Sequence, residues 1–305
     1  MGTLFVIGNG FDLDHNLKTS YIDFKEYLKN QCNDLDESRF GYIGFEEMPK
    51  GDIVVDETDI LVNLIHGIDQ VSNEFWSNLE EELANVIFDD FFDREYPLDE
   101  DGDDDFWKKS YINNDNSMFF PELAKVLLNK LKKWVLSIKY ENVIPKDEII
   151  NLIKNKECTF LNFNYTETLE KFYGQTCYHI HGKIGGYELQ FGHNDKKDYT
   201  DELLVSYLGA ENNIQTLKNI WLKDTELILK NNYDFFKELK TKNINEIYFY
   251  GFSFGEVDLV YIQEIIRNID SKNCTCYLRN FNPEEVERQK IKLRELSFCG
   301  EITIF

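Results

Sequence analysis

Apolar residues in this chain form two kinds of run: short unbroken blocks ending on small or polar residues, and longer stretches where they recur at helical spacing. The first block, Leu4 to Ile7, is apolar at every position. A strand tolerates that only when both of its faces are covered, as in a parallel sheet. It runs into Gly8-Asn9-Gly10, where glycine lets a backbone approach a ligand that a Cβ would strike. Further strands are predicted at Cys158 to Phe163, Cys177 to Ile180, Ile247 to Tyr250, Cys274 to Leu278 and Ile302 to Phe305. Helical patterns at Asp224 to Lys240, Glu256 to Ile269 and Pro283 to Leu296 fall between several of them, and this alternation specifies a parallel sheet.

After the first strand, Tyr21 to Lys29 reads as a helix with Phe24, Tyr27 and Leu28 on one side. Residues 30–155 then read as mostly helical, without strand signals. Ile60 to Ile68, Phe75 to Phe92 and Leu123 to Ile138 carry the spacing, and the last aligns Leu123, Val126, Leu127, Leu131, Trp134 and Ile138 on one stripe. The expected fold class is α/β, a Rossmann-like, doubly wound, mainly parallel sheet. It would span residues 1–305 as one domain, with 30–155 inserted between the first and second core strands as a helical layer or lid.

Composition narrows the picture. Hydrophobic residues make up 42% of the 305, including 24 Phe and 17 Tyr, which excludes a disordered chain. A net charge of −23, with Lys and Arg scattered among acids, repels phosphate backbones, so neither nucleic acid nor an anionic membrane is an expected partner. No basic segment precedes an apolar run at the N-terminus, so a signal peptide or membrane span is not expected and the expected location is cytoplasmic. The six cysteines, at 32, 158, 177, 274, 276 and 299, are widely spaced and suit reduced thiols; Cys274-x-Cys276 has the wrong spacing for zinc. The acidic run 99–105 alternates as calcium ligands do. Counted from Asp99, however, Gly102 is fourth and Ser110 twelfth, where an EF-hand needs Gly at the sixth position and Glu at the twelfth, so a solvated loop is expected.

The chemistry concentrates in four segments in which an apolar strand ends on small or polar residues: VIGNGFD (6–12), FLNFNYTETLE (160–170), YHIHGKI (178–184) and YFYGFSFGEVD (248–258). Ligands of open α/β sheets bind outside the carboxyl ends of the strands, so Asn9, Asp12, Asn164, His181, Ser253 and Asp258 become candidate neighbours. His181 stands at a strand end before Gly182, where an imidazole can take a proton near neutral pH or simply cap a turn. His179 and Cys177 share its face, but no carboxylate or thiolate motif lies at a spacing that completes a metal site. The amide of Asn164 suits holding a ribose hydroxyl or a water, and equally suits a helix-capping turn. The Gly251-Phe252-Ser253 turn and the helix after it offer N–H groups to a phosphate, with Glu256 and Asp258 in that first turn able to act as caps instead.

Together these segments resemble the AbiH family of bacterial phage-defence proteins, with VIGNGFDLDHNLKTSYIDF and YGFSFGEVDLVYI as its two signatures. The same ordered blocks are similar to the sirtuin-like nucleotide-binding fold. Gly8-Asn9-Gly10 corresponds to its Gly-x-Gly turn, Asp23-Phe24 to the Asp-Phe that follows, and Phe163-Asn164-Tyr165 to its Asn-containing strand end. His181-Gly182 corresponds to its His-Gly pair and Gly251-Phe252-Ser253 to its late phosphate or adenosine-side turn. Two positions depart from the pattern: Thr166 stands where many such proteins carry Asp, and Asp12 replaces the Ser that commonly follows the glycine turn. The cysteines cannot assemble the zinc module of the deacetylase sirtuins, which argues against deacylation.

The resemblance implies an abortive-infection effector that takes NAD, or a related nucleotide, as substrate and hydrolyses its N-glycosidic bond without a metal. In that reading Asn164 orients the ribose or the water and His181 is the general base. Asp12 or Asp23 stabilises the oxocarbenium-like sugar. Gly8, Asn9, Gly10 and Ser253 hold phosphates or adenosine, and Asp23, Phe24, Tyr165, Gly251 and Asp258 complete the binding set. A phage-derived trigger or another defence protein is the implied partner, and a homo-oligomer is among the assemblies allowed. Two other classes stay open: a non-catalytic nucleotide-sensing module whose acidic helical layer recruits a partner, and a metal-dependent nuclease or phosphohydrolase using His179 and His181.

Overall fold

The computed structural model describes residues 2–32, 39–41, 43–47, 53–69, 79–81, 83–84, 88–92, 98, 101–102, 105–141, 143–186 and 189–305. Among them, β1 (Gly2–Ile7) is followed by a small antiparallel hairpin, β2 (Phe45–Glu47) and β3 (Ile53–Val55). Then come β4 (Glu157–Asn162), β5 (Tyr178–His179), β6 (Ile244–Tyr250), β7 (Thr275–Leu278) and β8 (Glu301–Ile304). All but the hairpin form one parallel sheet in the order β5-β4-β1-β6-β7-β8. Numbered along the chain, that sheet reads 3-2-1-4-5-6, the order of doubly wound dinucleotide-binding sheets.

β1 lies at the centre because every residue in it is buried and both of its edges are paired. Leu4 and Val6 enter the core on one face; Phe5 and Ile7 enter that on the other. In register with Phe5 stand Phe160, Tyr248 and, one strand further, Tyr277, their rings stacked at 5.0, 4.9 and 4.4 Å. This row of rings crosses four strands, and each pair contributes roughly 0.5–1.5 kcal/mol beyond its buried area.

The predicted helix Asp224 to Lys240 is two helices, Thr225–Asn231 and Tyr233–Thr241. The side chain of Asn232 between them donates to Ile228 O at 2.8 Å, the local bonding that makes asparagine a helix breaker. Glu256 to Ile269 is a 3₁₀ turn, Glu256–Asp258, and then a helix, Leu259–Arg267, that buries Tyr261, Ile262, Ile265 and Ile266. The hairpin β2-β3 falls in a stretch expected to lack strands; three residues are too few to show alternation. Of the predicted helix 75–92, residues 79–81 and Asp89–Phe92 are helical, while 75–78, 82 and 85–87 lie outside the described residues. In the acidic run, 99, 100, 103 and 104 also lie outside them; Asp105 caps the helix Phe106–Ser117, accepting from Lys108 N at 3.0 Å.

The helical layer draws on two parts of the chain. Tyr21–Gln31, Glu57–Asp69 and Phe120–Ser137 share one core with Thr200–Ser206 and Glu211–Ile220, which come after β5. Trp221 pins the two parts together by donating Nε1–H to Ala124 O at 3.3 Å. Among the described residues, no helix is long and apolar enough to cross a membrane.

The turns after β1 and β6 lock into each other. Gly8 N donates to Tyr250 O at 3.0 Å and Gly10 N to Gly251 O at 2.9 Å. A Cβ on Gly8 would sit 2.5 Å from Gly251 O, and one on Gly10 2.6 Å from Gly251 Cα. These glycines are small chiefly because the neighbouring turn leaves no room, a different reason from the open approach to a ligand that the sequence suggests. Gly251 also has φ +66°, and any side chain there would strike Phe11 N. Gly174, at φ +61°, meets nothing within 4 Å. Gly174→Ala is therefore expected to cost about 1–2 kcal/mol, the left-handed penalty alone. Gly251→Ala should lose more than roughly 3 kcal/mol, since the collision adds to that penalty. Urea denaturation of both variants reads the difference; equal losses would mean that the interlock is not tight.

Candidate functional site

A cavity of about 380 Å³ opens at the carboxyl ends of the sheet, a volume suited to a small organic ligand. The end of β1 supplies Gly8, Asn9, Gly10 and Asp12, that of β4 supplies Phe163, Asn164, Tyr165 and Thr166, and that of β5 supplies His181. From the end of β6 come Gly251, Phe252, Ser253 and Asp258, with Arg279 and Phe281 beyond β7. The helical layer closes one side with Trp134, Val135 and Ile138.

Ten of the twelve residues singled out in the sequence thus share one space. Asp23 and Phe24 do not line it. Asp23 Oδ2 accepts from Ser20 N at 2.8 Å while Asp23 N donates to Ser20 Oγ at 3.1 Å, a capping box that starts the helix Tyr21–Gln31. Phe24 points into the layer's core, its ring 5.2 Å from that of Trp134. One residue apart on a helix, the cap and the core face are spoken for by local geometry.

Asn164 is set by its neighbours. Its Nδ2 donates to Gly8 O at 3.0 Å, its backbone N–H donates to Asn162 Oδ1 at 3.0 Å, and its carbonyl faces His179 Nδ1 at 2.9 Å. Among the described residues Oδ1 has no hydrogen bond. His179 Nε2 meets Glu170 Oε1 at 2.6 Å, so both nitrogens of that ring are turned toward protein oxygens, and the residue does not line the cavity. Among the described residues no group of three His, Cys, Asp or Glu is placed to hold a metal ion.

Asp12 is enclosed in the helix Asn9–Asp14 and accepts from Thr166 Oγ1 and, at 2.6 Å, from Thr168 Oγ1. Burial outweighs those bonds and pushes its carboxyl up to about 6. Asn9 Nδ2 donates to Thr19 O at 2.9 Å, and the Tyr165 hydroxyl to Gln190 O at 2.8 Å. Ser253 is presented between two left-handed residues, Gly251 at φ +66° and Phe254 at φ +57°. That conformation is costly for a phenylalanine.

His181 is buried with its ring edge-on to Phe163 at 5.2 Å and Tyr261 at 5.6 Å. Its Nε2 lies 3.2 Å from Asp258 Oδ1, off the line that a hydrogen bond needs. The same oxygen is 3.3 Å from Nζ of Lys223, a fully enclosed lysine held by both carboxylate oxygens of Glu80 at 3.0 Å. Burial alone would raise Asp258, but the charges of Lys223 and His181 outweigh it and hold the carboxyl below its usual range. For Glu80 burial prevails, and its carboxyl is raised. With a carboxylate at its head, the helix beginning at Leu259 is a poor phosphate cradle, contrary to the expectation from the Gly251-Phe252-Ser253 turn.

A sequence model of the family described as Bacteriophage abortive infection AbiH matches residues 4–279. The chain belongs to the AbiH family. No curated protein and no solved structure matches this AbiH chain significantly. The match runs from β1 to Arg279 at the end of β7, so it spans all four strand-end segments that build the cavity. It places the AbiH protein among those of phage abortive infection.

Glu80 and Lys223 escaped sequence reasoning. Nothing in a lone lysine after Trp221-Leu222, among 33 basic residues, marks it as enclosed, and Glu80 shows only that its neighbours Leu79 and Leu83 are apolar.

Asp12 makes stability depend on pH. Between its ordinary value of 3.8 and about 6, the native state keeps a proton that the unfolded state has released, so stability falls as pH rises through that window. Two pKa units correspond to roughly 3 kcal/mol. Urea denaturation should therefore show the wild type losing about that much relative to Asp12→Asn between pH 4 and pH 7. A constant difference would mean the carboxyl ionises as in water. Lys223→Met strands Glu80 and Asp258 together and should cost about 3–5 kcal/mol, readable in the same denaturation assay.

Proposed function

We propose that this AbiH protein is an abortive-infection effector whose cavity binds NAD or a related nucleotide and hydrolyses its N-glycosidic bond. One observation carries the reading. Asp12, Asn164 and His181, from the ends of three strands, line a single cavity at the switch point of a 3-2-1-4-5-6 sheet. In the reaction a water attacks the anomeric carbon of the nicotinamide ribose, the carbon–nitrogen bond breaks, and nicotinamide leaves with the bonding pair as a neutral ring. Asn164 Oδ1 holds the ribose hydroxyl or the water, His181 takes the water's proton, and the Asp12 carboxylate faces the positive charge that builds on the sugar. Trp134, Val135 and Ile138 offer an apolar wall to the departing ring, and Arg279, which also pairs with Glu148, is a cation for the diphosphate.

The two positions that depart from the sirtuin-like pattern meet at the cavity, where Thr166 donates to Asp12. The site would act in the cytoplasm, where a phage product or another defence protein could trigger it.

Nicotinamide release from NAD by purified protein, with and without extract of phage-infected cells, tests the proposal. Asn164→Ala and His181→Ala are expected to lower turnover by about 100-fold or more and to abolish protection against phage. Binding without turnover would make the site a sensor. No binding, no turnover and unimpaired protection by both variants would overturn the nucleotide reading.

A further inference from the structure

Among the described residues, His181 lines the cavity with a buried ring nitrogen that has no hydrogen bond, although a carboxylate lies beside it. Nε2 is fully enclosed, and Asp258 Oδ1, at 3.2 Å, is the acceptor next to it. Nδ1 also makes no hydrogen bond among the described residues and is not one of the enclosed unpaired atoms, which makes it the more open nitrogen of a ring that lines the cavity. We infer that Asp258 is the positioning residue of His181: it takes the Nε2–H and thereby leaves the lone pair of Nδ1 facing the cavity.

A neutral imidazole carries one N–H. Placed on Nδ1, that proton would leave the Nε2 lone pair against a carboxylate oxygen, two acceptors face to face in a dry site. Placed on Nε2, it meets Oδ1 after a small turn of the ring. Loose hydrogen bonds of this kind are common in sites that tighten around a ligand. The second partner of Oδ1 supplies the restraint. Lys223 Nζ, at 3.3 Å, keeps Asp258 ionised, and Glu80 draws the ammonium back with two contacts at 3.0 Å so that it does not monopolise the shared oxygen. The Asp258 carboxylate thus stands beside His181, where the imidazolium formed on proton uptake would face it. Tyr261, also against the ring, stays neutral because burial pushes its hydroxyl up.

The role of Nδ1 as the base rests on the hydrolase reading; the tautomer does not. Full-length protein labelled with ¹⁵N in its five histidines gives both nitrogen shifts of each ring, and His181→Gln assigns the resonances of interest. The wild type at pH 8 should show protonated Nε2 and free Nδ1. In Asp258→Asn the two ring-nitrogen shifts of His181 should move, with kcat for NAD falling about tenfold or more and KM little altered. Protonated Nδ1 in the wild type would overturn the inference, and that measurement holds even if Asp258→Asn fails to fold. Unchanged His181 nitrogen shifts in a folded Asp258→Asn would overturn it as well. The expected tautomer without nicotinamide release upholds the pairing and removes the hydrolase reading; release with the opposite tautomer does the reverse.

Discussion

Everything at the cavity depends on two backbone turns lying closer together than side chains permit. Gly251 sits against Gly8 and Gly10, so the chain leaving β6 and the chain leaving β1 bend away from each other at one point. That point is where strand order reverses and where an α/β sheet leaves a crevice. A methyl group at any of the three would separate the turns and carry Asn164, which is fastened to Gly8 O, away from Ser253 and Asp258.

The second constraint is electrostatic. Taking Lys223, Glu80 and Asp258 out of water is expensive, and such a cluster persists only where each member has partners. Here Lys223 has both carboxylates, Glu80 also accepts from Gly192 N at 3.2 Å, and His181 adjoins Asp258. Because Glu80 belongs to the helical layer and Asp258 to the sheet's edge, the lysine between them fixes one on the other. Specific charge contacts complement the apolar surface between the two, and they enforce one relative placement.

The sheet was legible because its strands are short and rich in apolar residues, with β1, β4 and β6 stopped at glycine or asparagine; β1, β4, β6, β7 and β8 all begin and end within a few residues of the sequence pattern. Strand-end polarity also brought most of the cavity into view. What escaped detection was set by tertiary contact. Thr200–Ser206 and Glu211–Ile220 carry amphipathic spacing that the sequence reading passed over, and only their packing on Phe120–Ser137 shows that they extend the layer. Lys223 is enclosed by residues from far along the chain. Asp23-Phe24, prominent as a motif, proved to be a helix start and a core contact because capping and burial are met locally.

The position of β1 in the sheet bears on how the molecule comes into being. Within this sheet the strand made first is the central one, and its two neighbours begin only at Glu157 and Ile244. Its apolar edges therefore wait through most of translation for partners, and the pairing that ends the wait closes very long loops. Until Gly251 and Asp258 have emerged, the pocket lacks one of its walls. Whatever the cavity does therefore waits on a turn that lies far along the chain from the strand at its centre.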